Sequence, residues 1–470
     1  MTSEMLASIY EAIARTARRF APAAFLAICV LSGGASRGAV VATGATELIA
    51  IALLLLLTLN PHYVRTTDQA RIVLALAGAL LFWIVLQLAP LPPAIWTRLP
   101  GRAPVMEGFR ILGVNKLSSL PISLTSEETV EGLIRFLPPL ALFALVAKSP
   151  SRTGNTILIW TVIVLAVAST MLGIAAILEP SVSLFLSGRA NSVAPAGIFA
   201  NVNHQADLDL LAMPFAAVLL SRISLHRALG DTGIGLVLIV SAFVLILIIG
   251  VLGSGSMAGY TLLGPVLIAS LLIYLNRPMG LRLLAAVLTA LAALAALGAW
   301  LATSDIPSRL GIAPADSDAM SRTQTFARTF KAIGDYMPFG SGLGSFDRIY
   351  PAYENASTVT NVYTAHVHND YLELALELGL PGLAIVALII GALLVLCVKS
   401  WTGTGPDSRL KKAAAVSLIV VMVHSSVDYP LRTAAIATVA ALLAGLLVQS
   451  KKTAPLSNSL AAPAHRQILI

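Results

Sequence analysis

The chain has 470 residues and a formal net charge of +8, with 57% hydrophobic and 11% charged residues. Soluble globular domains average about 25% charged residues, so this composition excludes a large water-soluble domain and favours a protein embedded in lipid. The two cysteines, Cys29 and Cys397, both stand in apolar runs and lack the spacing of a metal or redox site. We therefore expect no metal, no cofactor and no disulfide.

Apolar segments recur along the chain at the length of membrane spans. A bilayer core about 30 Å thick needs roughly 20 apolar residues in a helix. Arg15, Arg18 and Arg19 precede the first apolar run, and a second run follows almost at once, which favours an uncleaved first helix over a signal peptide. The prediction is an all-α, polytopic membrane helix bundle of about 12 transmembrane helices. The predicted spans are 20–36, 40–59, 72–91, 129–147, 155–178, 205–221, 233–252, 257–275, 281–302, 381–398, 412–427 and 433–449.

Basic residues flank every second connection between these spans. Short cytoplasmic loops of membrane proteins carry an excess of lysine and arginine, so the N-terminus is predicted to lie inside. The residues then placed inside are Arg15, Arg18, Arg19, Arg65, Arg71, Lys148, Arg152, Arg222, Arg227, Arg277, Arg282, Lys399, Arg409, Lys411, Lys412, Lys451 and Lys452. This topology predicts cytoplasmic tails at 1–19 and 450–470, spans one to nine within 20–302, a large outer loop at 303–380 and the last three spans within 381–449.

The outer loop is too polar to span the membrane and too long for a simple connector. Its residues 322–339 predict an amphipathic helix, which suits the membrane interface. The apolar face is expected to hold Phe326, Phe330 and Ile333, with Arg328 and Lys331 opposite. This basic face is either simply solvated or placed to meet an anionic lipid head group such as a diphosphate.

Two motifs follow that helix. Residues 340–346, Gly-Ser-Gly-Leu-Gly-Ser-Phe, predict a turn that either wraps a phosphate or borders a ligand cavity. Asp370 and Glu373 stand at capping-box positions of the next helix, which is predicted to be interrupted at 379–382. His368 precedes this helix, where a histidine can accept a proton at neutral pH or serve a structural role.

Polar residues near other spans allow local pairs. His204 and Asp207 share a helical face and either orient each other or cap the sixth span. Asp428 and Arg432 flank the outer turn between the last two spans, where a local ion pair is predicted.

Several segments resemble the O-antigen ligase family of bacterial membrane glycosyltransferases. Residues 368–382 are similar to the family's histidine motif after its large periplasmic loop, and residues 338–354 to the segment before it. Residues 197–206, followed by Pro214 within the next span, resemble an outer-face motif of the family, and residues 90–92 are also similar.

The resemblance implies a function. Such enzymes transfer a glycan from undecaprenyl diphosphate to an acceptor hydroxyl on the periplasmic face of the inner membrane. The acceptor is the lipid A core, a growing polysaccharide or a protein, so the chain would serve lipopolysaccharide or exopolysaccharide biosynthesis. The transfer is metal-independent and inverting.

The resemblance also implies site residues. His368 matches the family histidine, which acts as general base or orients the acceptor. Arginines near the outer face hold the departing diphosphate, and Arg322 matches the family's loop arginine better than Arg328 or Arg189. The supporting residues implied are His204, Asn201, Asn369, Asp370 and Glu377.

The chain departs from the family at two positions. Val202 stands where many members have an arginine, and Met257 follows Ser256 where many members have another. Two further functions therefore stay open. One is a transporter or flippase for lipid-linked or polar solutes, and the other is a non-catalytic scaffold of a polysaccharide export complex.

Overall fold

The fold is all-helical in a computed structural model, which describes residues 3–35, 40–59, 66–179, 196–223, 231–276, 318–355, 364–403, 405 and 407–449. Within these residues there is no strand, and the nearest approach to a sheet is an isolated bridge between Leu91 and Leu120. Helices are the expected form because a backbone in lipid must satisfy its own hydrogen bonds. The predicted ninth span at 281–302, Arg189 and the C-terminal tail lie outside the described residues.

The described α-helices are numbered here in chain order. They are α1 (Ser3–Ser32), α2 (Val40–Leu59), α3 (Asp68–Gln87), α4 (Pro93–Trp96), α5 (Ala103–Ile111), α6 (Ser126–Arg135), α7 (Leu137–Lys148), α8 (Arg152–Leu178), α9 (Val202–Arg222), α10 (Asp231–Gly253), α11 (Met257–Leu275), α12 (Asp318–Tyr336), α13 (Phe346–Ile349), α14 (Asp370–Thr402), α15 (Ser408–His424) and α16 (Ala434–Val448). Two 3-10 helices cover Tyr350–Tyr353 and Pro430–Arg432.

Six helical segments among the described residues are long and apolar enough to cross a bilayer: α3, the α6–α7 pair, α8, α10, α11 and α14. The shorter apolar helices include Arg19–Ser32, Thr43–Leu59 and Ala434–Val448. Each predicted span within the described residues coincides with a helix, which confirms the all-α, multi-pass membrane fold. The count of about 12 spans stays a prediction.

Helix α9 forms the centre of the bundle. Its residues 204–219 are all buried, and it packs against α8, α10, α11 and α15. Small residues allow neighbouring helices to approach closely, as membrane bundles require. On α16, for example, a Cβ at Gly445 would lie 3.0 Å from the side chain of Val146 on α7.

Helix α14 is broken at Gly379, whose φ of 62° and ψ of −165° are not helical. This confirms the predicted interruption and separates residues 370–378 from the apolar remainder of the helix. Since α14 packs against α3, α12 and α15, the short outer segment lies between the outer loop and the bundle.

Helix α12 differs in detail from its prediction. It ends at Tyr336 rather than at residue 339, and Phe330 is 61% exposed rather than part of the apolar face. Phe326 and Ile333 do pack against the small core around Tyr350. The innermost stripe is formed by small side chains at helical spacing, Thr325, Thr329 and Ala332. Phe330 falls beside that stripe and is therefore left outside.

Candidate functional site

The N-terminus of α14 positions the predicted histidine. Asn369 caps this helix, because its side-chain oxygen accepts hydrogen bonds from the backbone N–H groups of Tyr371 and Leu372, each at 3.0 Å. The prediction that Asp370 caps the helix is therefore wrong by one residue. Asp370 is instead buried, and its carboxylate accepts a hydrogen bond at 2.9 Å from the hydroxyl of Ser425.

His368 forms a hydrogen-bonded pair with Asp428. The Nδ1 atom of His368 lies 3.0 Å from Oδ1 of Asp428, which is fully buried, whereas the histidine side chain is 32% exposed. Nδ1–H donating to the carboxylate leaves the lone pair of the ring on Nε2, the nitrogen that can accept a proton. His368 adopts a left-handed backbone conformation with φ of 61°, which is uncommon for a residue other than glycine and is frequent at functional sites.

Asp428 is held ionised by its neighbours. Burial opposes the charged form, but the hydrogen bond with His368 and the nearby imidazoles lower the pKa of Asp428 below its ordinary value. The backbone N–H of Tyr429 also donates to the carboxylate, at 2.9 Å. A buried carboxylate of this kind fixes the orientation of the imidazole and stabilises its protonated form.

Tyr429 is surrounded by three imidazole rings. Its ring centroid lies 4.3 Å from that of His366, 4.9 Å from that of His368 and 5.0 Å from that of His204. Asn201, which caps α9, lies 3.5 Å from the Tyr429 hydroxyl. The structure therefore brings together Asn201, His204 and His368, which are far apart in the sequence.

His204 does not pair with Asp207, which was one of the two alternatives that the sequence left open. Asp207 accepts a hydrogen bond from Nδ1 of His424 on α15, so its partner belongs to another helix. Both ring nitrogens of His204 are buried and, within the described part of the chain, have no hydrogen-bond partner.

Arg432 is enclosed by three carboxylates. It donates a hydrogen bond of 2.8 Å to Glu377, and its Nε lies 3.5 Å from Glu373 and 3.7 Å from Asp370. Burial alone would lower the pKa of Arg432, but these carboxylates raise it above its ordinary value. The predicted local pair between Asp428 and Arg432 is wrong, since Asp428 binds His368 and Arg432 binds the acidic face of α14.

The predicted cations are placed differently. Burial and the charge of Asp428 raise the pKa of Tyr429 to about 12, and the charge of Arg322 opposes this rise in part. Arg328 is directed at Tyr350, with 3.4 Å between its guanidinium and the hydroxyl.

The backbone of the glycine-rich turn binds to α14 rather than pointing its N–H groups at a ligand. The backbone N–H groups of Ser341 and Gly342 donate to the carbonyl groups of Leu376 and Glu377, at 3.0 and 2.9 Å. A Cβ at Gly340 would lie 2.5 Å from the Glu377 carbonyl oxygen, so only glycine fits this approach. These N–H groups are occupied, which favours the cavity-edge interpretation of the turn over the phosphate-wrapping one.

Several residues of the cluster were not named as site residues from the sequence: His366, Asp428, Tyr429 and Arg432. The predicted order of spans could have pointed to them, because it places the turn at 425–433 on the same side of the membrane as His368. Within the described residues, no group of three or more histidine, cysteine or acidic side chains has the arrangement of a metal site.

Residues 242–387 match a sequence model of a family described as O-antigen ligase. The match covers less than half of the chain and includes α12, the glycine-rich turn and His368. It stops before Asp428 and Arg432. No curated protein gives a significant match to the chain. The family match supports assignment to the O-antigen ligase family, as the sequence motifs predicted.

Proposed function

We propose a specific reaction for this multi-pass inner-membrane protein, whose O-antigen ligase domain supports glycan transfer in polysaccharide biosynthesis. The protein transfers a glycan from undecaprenyl diphosphate to an acceptor hydroxyl on the periplasmic face. The observation that carries the proposal is the pairing of a partly exposed His368 with a buried, ionised Asp428.

The proposed chemistry begins at Nε2 of His368. This nitrogen removes the proton of the acceptor hydroxyl while the oxygen attacks the anomeric carbon of the donor. The bond between that carbon and the diphosphate oxygen breaks, the diphosphate leaves as an anion, and the configuration inverts. Asp428 keeps the imidazole oriented and stabilises its positive charge. Arg322 meets the charge that develops on the diphosphate, and no metal takes part.

The proposal includes an orientation. The loop at 303–380 and the turn at 425–433 face the periplasm, and the tails at 1–19 and 450–470 face the cytoplasm. A prenyl chain reaches the site from the bilayer and a hydrophilic acceptor reaches it from the periplasm. The acceptor class, whether lipid A core, growing polysaccharide or protein, depends on the partner that meets this face.

The second candidate function is a non-catalytic scaffold, and two positions where the chain differs from many members of the family support it. Val202 begins α9 directly after Asn201, and Met257 begins α11, whose Gly259 approaches Ala206 of α9. Two positions close to the site thus carry apolar side chains where many family members have arginine. A scaffold of an export complex would retain the fold without this charge.

The test replaces His368 with alanine in the native host. Surface polysaccharide is resolved on a gel, and the amount of protein in the membrane is measured in parallel. Loss of ligated or polymerised glycan supports the transferase, whereas an unchanged ladder supports the scaffold or a transporter. Arg71→Gln, an exposed residue on α3, is the control variant and is expected to leave the ladder intact. Accumulated lipid-linked polymer indicates a ligase, and accumulated single repeat units indicate a polymerase.

A further inference from the structure

A second feature of the outer region lies in the loop between α3 and α6, residues 88–125. Its helix α5 has no buried residue, and the turn that ends it exposes three apolar side chains. Ile111 is 71% exposed, Leu112 is 76% exposed and Val114 is 40% exposed. We name residues 111–114 the loop tip. The proposed glycan chemistry makes no use of this surface.

The base of the loop is firmly held, so the exposure of the tip is not a sign of a loose segment. Leu91 and Leu120 exchange two backbone hydrogen bonds, at 2.9 and 3.1 Å. Trp96 is fully buried, and its indole N–H donates to the carbonyl of Ser118 at 3.0 Å. The ring of Trp96 also lies 6.1 Å from that of Phe109 on α5, which ties this helix to the base.

The position and charge of the loop indicate what covers the tip. The loop begins at the end of α3, where the apolar side chains of Val85 and Leu86 are exposed, and it ends at the start of α6. Both helices are candidate membrane spans, so the loop base lies at the bilayer surface. The loop contains four basic residues, Arg98, Arg102, Arg110 and Lys116, and one acidic residue, Glu107. Arg102 is buried and donates to the carbonyl groups of Pro121 and Ile122, so the exposed residues carry a net charge of 3 − 1 = +2.

We propose that the loop tip docks onto the bilayer itself, at a leaflet surface rich in anionic phospholipid. Ile111, Leu112 and Val114 enter the boundary between head groups and acyl chains. Lys116 meets lipid phosphates, and so does Arg110, which exchanges its exposed ion pair with Glu107 for the phosphate. Long basic side chains next to apolar ones suit such an interface because their stems lie in the apolar layer and their charges in water. A protein partner would also cover the apolar residues, but a bilayer is already present where both ends of the loop emerge.

A single fluorescent label tests this in the full-length protein. Cys29 and Cys397 are buried, so Leu112→Cys offers one accessible thiol for a bimane probe. The protein is placed in nanodiscs of phosphatidylcholine, with or without phosphatidylglycerol, and with lipids brominated on the acyl chain. Ser119→Cys, an exposed position beside the held base, is the matched control. We expect bimane at 112 to be quenched at least about twofold more than bimane at 119, because only the tip enters the bilayer.

Charge is tested in the same background. Arg110→Gln with Lys116→Gln is expected to reduce quenching at 112 in phosphatidylglycerol discs and to leave it unchanged in pure phosphatidylcholine discs. Equal quenching at 112 and 119 overturns the docking, and quenching that ignores phosphatidylglycerol overturns its anionic component. Hydrogen exchange of residues 103–117 in the unlabelled protein guards against an effect of the probe, because docking predicts slower exchange in the anionic discs. Protection that appears only in cell membranes, and not in nanodiscs, assigns the tip to a protein partner and overturns the proposal.

Discussion

Two histidine–aspartate pairs of this protein have the same chemistry and opposite surroundings. His368 and Asp428 pair at one rim of the bundle through Nδ1 of the imidazole, and the histidine is partly exposed. His424 and Asp207 also pair through Nδ1, but both side chains are fully buried between α15 and α9. A general base must exchange its proton with a substrate. Of the two pairs, only the one at the rim is accessible enough to do so in the proposed glycan transfer.

The interior pair teaches the complementary lesson. A buried charge left without its partner is costly, whereas a complete buried pair is tolerated. The His424–Asp207 pair therefore links two core helices in a defined register. The two pairs differ in the exposure of the histidine side chain, and this exposure distinguishes a candidate base from a structural contact. The predictions below test this difference, from the largest expected effect on turnover to the smallest.

Replacing His368 with alanine is expected to lower kcat by about 10²–10⁴-fold, the usual contribution of general acid–base catalysis. The melting temperature in detergent is expected to fall, because the buried Asp428 loses its imidazole partner and keeps the backbone N–H of Tyr429, so kcat is expressed per folded molecule. Turnover is measured with a purified lipid-linked glycan donor and its acceptor. A variant that retains full turnover removes the rim pair from the chemistry.

Asp428→Asn is expected to lower kcat by about 10²-fold, the lower end of that range, since the imidazole remains but its orientation and charge stabilisation are weakened. KM for the donor should stay near its original value. Single-turnover rates over several donor concentrations separate the two constants. A rise in KM with unchanged kcat would mean that Asp428 acts in binding.

Arg322→Gln is expected to reduce kcat/KM by about tenfold, corresponding to the loss of one charge-assisted contact to the diphosphate. Arg328→Gln is the matched control on the same helix, since Arg328 is directed at Tyr350. Equal losses in both variants would indicate a general effect on α12 rather than a contact with the donor.

His424→Leu, which removes every donor to Asp207, is expected to change kcat by less than about twofold per folded molecule while destabilising the bundle by roughly 3–5 kcal/mol, the cost of leaving one partner of a buried pair uncompensated. Thermal unfolding in detergent and the fraction of monomeric protein after heating are the measurements. A large fall in kcat without a change in melting temperature would erase the distinction between the two pairs.

The fold was predictable from the sequence because span length and the alternation of basic loops are local signals. Helices cover the predicted spans within the described residues, and the break at Gly379 was visible in the Gly-Leu-Pro-Gly segment. The gathering of Asn201, His204 and His368 followed from the family motifs and the parity of the loops.

The side-chain pairs were not predictable in the same way. Helical spacing relates residues on one helix, so it favoured His204 as the partner of Asp207, whereas the actual partner, His424, is 217 residues away. Arg432 likewise binds Glu377 on another helix instead of its neighbour Asp428. Such contacts depend on which helices pack together, and the spacing of residues along a single sequence does not reveal which helices are neighbours.

The break at Gly379 has a mechanical consequence for the proposed site. The N–H of Leu380 donates to the carbonyl of Pro338 at 2.8 Å, and Gln87 of α3 donates to the carbonyl groups of both Phe339 and Glu377. These contacts hold both sides of the break, because Glu377 precedes Gly379 and Leu380 follows it. The break at Gly379 therefore lets residues 370–378 take a direction of their own, and the position of the His368 imidazole depends on these loop and α3 contacts as well as on the apolar part of the helix.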